Sequence, residues 1–172
     1  MKEKHLTKLN NKGVSLVEIV IVVAIMAIVG GAVLLSTTVA TDKQVSSCAE
    51  KIASSLEQTR NLVMGKSNGY VEISQAAGDY VYVQMFVDGN TFGDKVSVGH
   101  PGVQVTVYYT DGSSPEVLTA RTDPIKIYFS RSNGSVRSDM GNQVGRFEIT
   151  NGRRTMEVKI DNFTGRVEVN RL

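Results

Sequence analysis

Residues 12–29 read Lys-Gly-Val-Ser-Leu-Val-Glu-Ile-Val-Ile-Val-Val-Ala-Ile-Met-Ala-Ile-Val. A short basic leader closes at Gly13, and the apolar run beyond it is broken five residues in by one carboxylate, Glu18. From Ile19 to Leu35 there are 17 residues without a polar side chain, and Ala40 is reached through only Ser36, Thr37 and Thr38. About 20 such residues span a bilayer as a helix, which satisfies its own backbone and its own hydroxyls. Lys2, Lys4, Lys8 and Lys12 against Glu3 keep the N-terminus cytoplasmic and send the rest outward. A carboxylate deep in such a run costs roughly 2.5 kcal/mol or more, so Glu18 needs a reason.

A secretory signal is one reading, with Thr38-Val39-Ala40 as its cleavage site and a soluble protein released after Ala40. The apolar run is longer than the ~7–15 residues of an ordinary h-region, and Glu18 stays unexplained. Together the closing Gly13, the hydrophobic Val14, Glu18 at the fifth position beyond the glycine and the membrane-length helix resemble the type IV prepilin signature. The resemblance implies that prepilin peptidase cuts between Gly13 and Val14 and methylates the new amine of Val14. Glu18 would then meet a cation. Two unit charges 4 Å apart gain about 4 kcal/mol at an effective dielectric near 20, enough to offset much of the burial cost and to set one subunit beside the next. The family commonly has phenylalanine first and proline near the twenty-second mature position, where this chain has Val14 and Leu35. Gly30-Gly31 is then the weak point of the helix, and local unwinding on assembly would start there.

Past Ala40 the composition turns polar, with Asp42, Lys43, Glu50, Lys51, Glu57 and Arg60. Apolar residues remain at Val45, Cys48, Ala49, Ile52, Leu56 and Val63, at spacings of three or four, which predicts an amphipathic continuation of the same helix. From Val14 to Met64 that helix is about 75 Å long, more than twice a hydrocarbon core. Gly65, Ser67, Asn68 and Gly69 stop it. Cys48 is the sole cysteine and lies on the apolar stripe, so it reads as a buried small hydrophobe, and no intramolecular disulfide can form.

From Tyr70 the period is two. Val103, Val105 and Val107 alternate with Gln104 and Thr106, Ile125, Ile127 and Phe129 with Lys126 and Ser130, and Met156, Val158 and Ile160 with Glu157 and Lys159. Tyr80 to Val87 is apolar on both faces, as a central strand would be. Turns are marked at Asp88-Gly89-Asn90, Asp111-Gly112, Asn133-Gly134 and Asn151-Gly152, and Asp161-Asn162-Phe163-Thr164-Gly165 folds the chain into a closing hairpin through Val167 and Val169. The fold class is therefore α+β: a long N-terminal helix, transmembrane then amphipathic, packed on an antiparallel sheet or sandwich. Residues 1–13 form the leader, 14–40 the membrane and filament-core helix, 41–66 its amphipathic half and 67–172 the β-rich head. A β-rich head lacking a disulfide loop and ending in an Asn-Phe-Thr-Gly-Arg-Val hairpin is similar to the H-type minor pseudopilins of type II secretion and the FimT-like minor pilins, the GspH/FimT group.

The formal charge of +2 conceals two unlike halves. Residues 67–120 carry one base against six acids, and residues 121–172 ten bases against six acids, or −5 and +4. Arg146, Arg153, Arg154, Lys159, Arg166 and Arg171 form a candidate polyanion patch, diluted by Glu148, Glu157 and Glu168. FimT-like proteins that bind DNA carry arginines in their last turns, which makes DNA a partner in an alternative reading. Catalysis has little to stand on: His5 lies in the leader, His100 sits next to Pro101 in a loop, no nucleophile and base can be paired, and no enzyme activity, cofactor or metal is expected. The segment from Asp88 to Asp94 departs from a calcium loop at Phe92 and Gly99, and the sequons at Asn133 and Asn162 carry little weight. The reading is a structural subunit of a type IV pilus or type II secretion pseudopilus. The resemblance implies other pilin or pseudopilin subunits, prepilin peptidase, an inner-membrane assembly platform and the lipid bilayer as partners. It places the protein in the inner membrane, head outward, and then in a filament at the cell surface.

Overall fold

The computed structural model describes residues 15–65, 68–137 and 143–172, with side chains throughout except at residues 32–39. The leader, Gly13 and Val14 lie outside the described residues. The chain divides into two compact units, Met1–Thr38 and Val39–Leu172, and helix α1 (Leu16–Gly65) contributes to both.

In the first unit α1 opens at Ser15, whose Oγ accepts the Val17 N–H at 3.4 Å and whose carbonyl accepts the Ile19 N–H at 3.2 Å. Every apolar side chain of the first turns is exposed, from 46% at Val22 to 78% at Leu16. Ile19, Val20, Ile21, Val22 and Val23 are consecutive, so they cover all sides of the helix and none of them is covered by the chain itself. Among the described residues no helix is long and apolar enough to cross a membrane. The membrane span expected over residues 14–40 is therefore not established by the structure. Its described apolar side chains run only over residues 16–31, short of the about 20 residues a bilayer takes.

In the second unit the predicted stripe is the buried one. Val45, Cys48, Ala49, Ile52, Leu56 and Val63 are fully buried, joined by Ala53 and by Thr59, whose hydroxyl donates to the Ser55 carbonyl at 2.9 Å. Among the described residues nine strands follow: β1 (Gly69–Gln75), β2 (Val81–Val87), β3 (Asn90–Gly99), β4 (Gln104–Tyr109), β5 (Glu116–Val117), β6 (Ile125–Tyr128), β7 (Val144–Thr150), β8 (Thr155–Ile160) and β9 (Val167–Arg171). They make two antiparallel sheets, ordered β3-β2-β1-β6 and β5-β4-β7-β8-β9. Each buries one face: Val71 and Ile73 of β1 with Ile125 and Ile127 of β6 in the first, Val105 and Val107 of β4 with Phe147, Ile149 and Val158 in the second. These residues and the α1 stripe form one core cluster.

β2 is the central strand that its sequence suggested, but only one of its faces is buried. Asp88 and Gly89 both take positive φ between β2 and β3, as a two-residue hairpin of the right twist demands. Gly99 marks a close approach of a sheet to the helix, because a Cβ there would stand 2.8 Å from the Cys48 Sγ and 2.8 Å from the Val81 Cγ2.

Truncating the stripe should cost what core cavities cost. Leu56→Ala is expected to lower the unfolding free energy by about 2–5 kcal/mol, and Glu57→Ala, on the exposed face, by less than about 0.5 kcal/mol. Denaturant titration of the detergent-held full chain measures both.

Candidate functional site

Glu18 lies in the first turn of α1, exposed among exposed aliphatic side chains. Ser15-Leu16-Val17-Glu18 has the spacing of a capping box, and a carboxylate in a first turn gains about 0.3–1 kcal/mol from the helix dipole. That is less than the roughly 2.5 kcal/mol that membrane depth would charge it, so the local role alone does not account for a carboxylate here. Burying the aliphatic side chains of residues 16–29 is worth on the order of 20 kcal/mol at most, which sets the fate of the segment whatever Glu18 costs. Gly30 and Gly31 continue the helix with open space where a side chain would be.

Residues 8–34 match the prokaryotic N-terminal methylation motif. It is a prepilin signature. The match takes in the last residues of the leader, 8–13, with Val14 and Glu18, and supports a type IV pilin or pseudopilin type of subunit that prepilin peptidase processes. No curated protein and no solved structure matches the chain.

Away from the prepilin motif, the structure separates the six bases of the candidate patch. Arg146 and Lys159 are register partners on β7 and β8, but Glu168 stands opposite Lys159, and Arg146 is held by Glu157 at 3.0 Å and stacked over the Tyr108 ring at 4.2 Å. Glu148, on the same face, accepts the Tyr108 hydroxyl at 2.9 Å, which pushes that phenol's pKa up. Arg153 and Arg154 occupy the β7–β8 turn, and Arg171 pairs opposite Met156 close by. Arg166 lies at the other end of β9. The structure thus gathers three bases at one end of the sheet, interleaves two with carboxylates and isolates the sixth.

The remaining candidates that lie among the described residues fall into structural roles. His5 lies outside the described residues, and His100 packs edge-on against Tyr80 at 5.1 Å. The Asp88–Asp94 segment is the β2–β3 hairpin, with the Asp88 carboxylate accepting the Asn68 N–H at 2.9 Å. Among the described residues no three His, Cys, Asp or Glu side chains come together as a metal cluster. Asn162 directs its amide to Thr110 Oγ1 and Gln143 Oε1, both at 3.4 Å.

One surface escaped the sequence reading. The second apolar face of β2 belongs to a row of rings across three strands, with Phe86 stacked on Tyr70 at 4.7 Å and Tyr128 at 4.8 Å from Tyr70. Lys126 bridges to Glu72 at 3.1 Å beside this row, so the rings are half-covered by their neighbours. The alternation in each strand hinted at these side chains, but only the register aligns them.

Cys48 is fully buried, and burial pushes its thiol up to about 12, against a smaller downward pull from Lys51. Alkylation at pH 8 is expected to be negligible in the folded chain and complete after denaturation. Ready labelling of the native protein would contradict this burial.

Proposed function

We propose that the chain is a structural subunit, a minor pilin or pseudopilin of the H-type and FimT-like kind, of a type IV pilus or type II secretion pseudopilus. It is inserted in the inner membrane with its N-terminus inside and its head outside, cut between Gly13 and Val14, methylated at Val14, and drawn into a filament on the assembly platform. Its work is assembly, not catalysis. The observation that carries this reading is a methylation motif over residues 8–34 that coincides with an aliphatic helix exposed on every side and bearing one carboxylate. Such a surface needs lipid or like helices all round it, and in either setting Glu18 needs a cation. The methylated amine of Val14 supplies one. In this scheme residues 14–35 form the rod of the filament, Glu18 sets its register, and the half of α1 from Val45 to Val63 joins rod to head.

The competing readings have less behind them. Release after Ala40 would require a cut inside α1, which passes through residues 38–40 as helix. Uptake of DNA has three gathered bases in its favour, Arg153, Arg154 and Arg171, and three carboxylates interleaved with the rest against it. It requires binding by the full chain that weakens steeply with salt and is lost in Arg154→Gln/Arg166→Gln. Equal binding by that variant eliminates the six-base patch.

Glu18→Gln tests the assembly reading. Cleavage and membrane insertion should be unchanged, while the amount of chain in sheared surface filaments falls more than about tenfold, the effect of losing a charge pair worth over ~1.4 kcal/mol. Filaments at the wild-type level in Glu18→Gln would overturn it.

A further inference from the structure

Four strands stand at the edges of the two sheets, β3 and β6 in one, β5 and β9 in the other. An edge strand offers a row of unpaired N–H and C=O groups to any extended chain that can lie beside it, and folded proteins blunt such edges. Three of the four are blunted here. β3 shifts register against β2 twice and takes a positive φ at Gly93, next to the charged Asp94 and Lys95. β5 has two residues. β6 has four, and the chain doubles back at its end, where Phe129 bridges Val136 and the Arg137 N–H donates to the Tyr128 carbonyl at 2.9 Å.

β9 has none of these devices. Its five residues pair with β8 in one unbroken register, from Val167 opposite Ile160 to Arg171 opposite Met156. The flanking bonds fix which way its backbone faces: the Leu172 N–H donates to the Thr155 carbonyl at 3.2 Å, and the Arg166 carbonyl accepts the Asp161 N–H at 2.9 Å. In an antiparallel ladder the bonded residues alternate, so Glu168 and Asn170 also face β8, while Val167, Val169 and Arg171 turn their N–H and C=O groups away from the sheet. Among the described residues no strand lies on that side.

The side chains say what would fit there. Val167 and Val169 are half-buried against the core and stand opposite Ile160 and Val158, so a strand added beside β9 would extend an apolar row already begun. Glu168 is matched by Lys159 opposite it. Arg171 is not matched: it lies opposite Met156, at the end of the sheet where Arg153 and Arg154 also lie, and the Arg154 Nε is buried with no acceptor. Unpaired backbone, an apolar row and an excess of positive charge at one end are complementary to an extended segment with apolar side chains at alternate positions and carboxylates where it passes Arg171.

A second copy of the chain fits this edge poorly. α1 runs in the same direction as β8, since Asn151, before β8, donates Nδ2 to Asp42 Oδ1 at 3.2 Å and Arg60 donates Nε to the Thr164 carbonyl, after β8, at 2.8 Å. Antiparallel pairing of two β9 strands is a two-fold contact that points the two α1 helices in opposite directions, and a rod of like-oriented helices has no place for it.

We propose that β9 takes up a strand of an unlike subunit, apolar at alternate positions and acidic toward Arg171, as the sixth strand of the five-stranded sheet. The inference rests on the assembly reading above and gives the head a surface for its neighbour that is independent of Glu18.

The test uses the full chain in cells that carry the assembly machinery, with photoreactive benzoylphenylalanine in place of Asn170, which is exposed on β9. In sheared filaments the probe should crosslink to an extended, carboxylate-bearing segment of a different subunit. Val169→Pro should lower that crosslink more than about tenfold, the effect of losing over ~1.4 kcal/mol of pairing. The Val169 N–H faces away from β8, so the β8–β9 ladder survives while the proline ring blocks an added strand, and Cys48 should stay protected from alkylation. Arg171→Glu, on an exposed side chain, should lower the crosslink as well, and it decides the matter if Val169→Pro exposes Cys48. A crosslink to a second copy, to DNA, to a segment of another kind or to nothing, or one that persists in Arg171→Glu, overturns the strand addition and leaves the assembly reading standing. Absence of the wild-type chain from filaments removes both.

Discussion

The fold depends on the apolar stripe of α1. Val45, Cys48, Ile52, Leu56 and Val63 offer one continuous ridge, and both sheets bury their inner faces in the cluster built on it. The four-stranded and the five-stranded sheet both contribute buried side chains to that one cluster. Burying those five side chains is worth on the order of 10 kcal/mol, comparable with the whole stability of a small domain. With a single cysteine the head has no covalent closure to fall back on.

The same helix does opposite things along its length, and the sequence shows why. Apolar residues at every position, as from Ile19 to Val23, leave no side for water, whereas apolar residues every third or fourth position leave one side free for it. The first pattern demands an environment supplied from outside the chain. The second is satisfied within it. Glu18 is the exception inside the first pattern, and the cation proposed for it, the Val14 amine, lies outside the described residues.

Much of this was legible before any coordinates. The stripe of α1, the strands about Val105, Ile127 and Val158, the hairpin turns and the closing β8–β9 hairpin follow from periods of 3.6 and 2 and from Gly at positions of positive φ. What stayed hidden depends on register and on long-range approach. Counting charges by segment put six bases in one patch, whereas pairing β7, β8 and β9 sets carboxylates between them. The ring row of Phe86, Tyr70 and Tyr128 needs three strands aligned at once. The bond from Arg60 to Thr164 joins residues that no local pattern relates. Phe163 could be placed in a turn, but its near-complete exposure is a property of the folded head alone.

The central claim is that the chain is cut at Gly13 and carried into a filament by its new N-terminus. It is tested most directly by the N-terminal residue and intact mass of the protein recovered from its native cell, with the prepilin peptidase present and then deleted. The account predicts an N-methylated Val14 that disappears when the peptidase is removed. A protein beginning at Thr41, or at Met1 with the peptidase active, would contradict it.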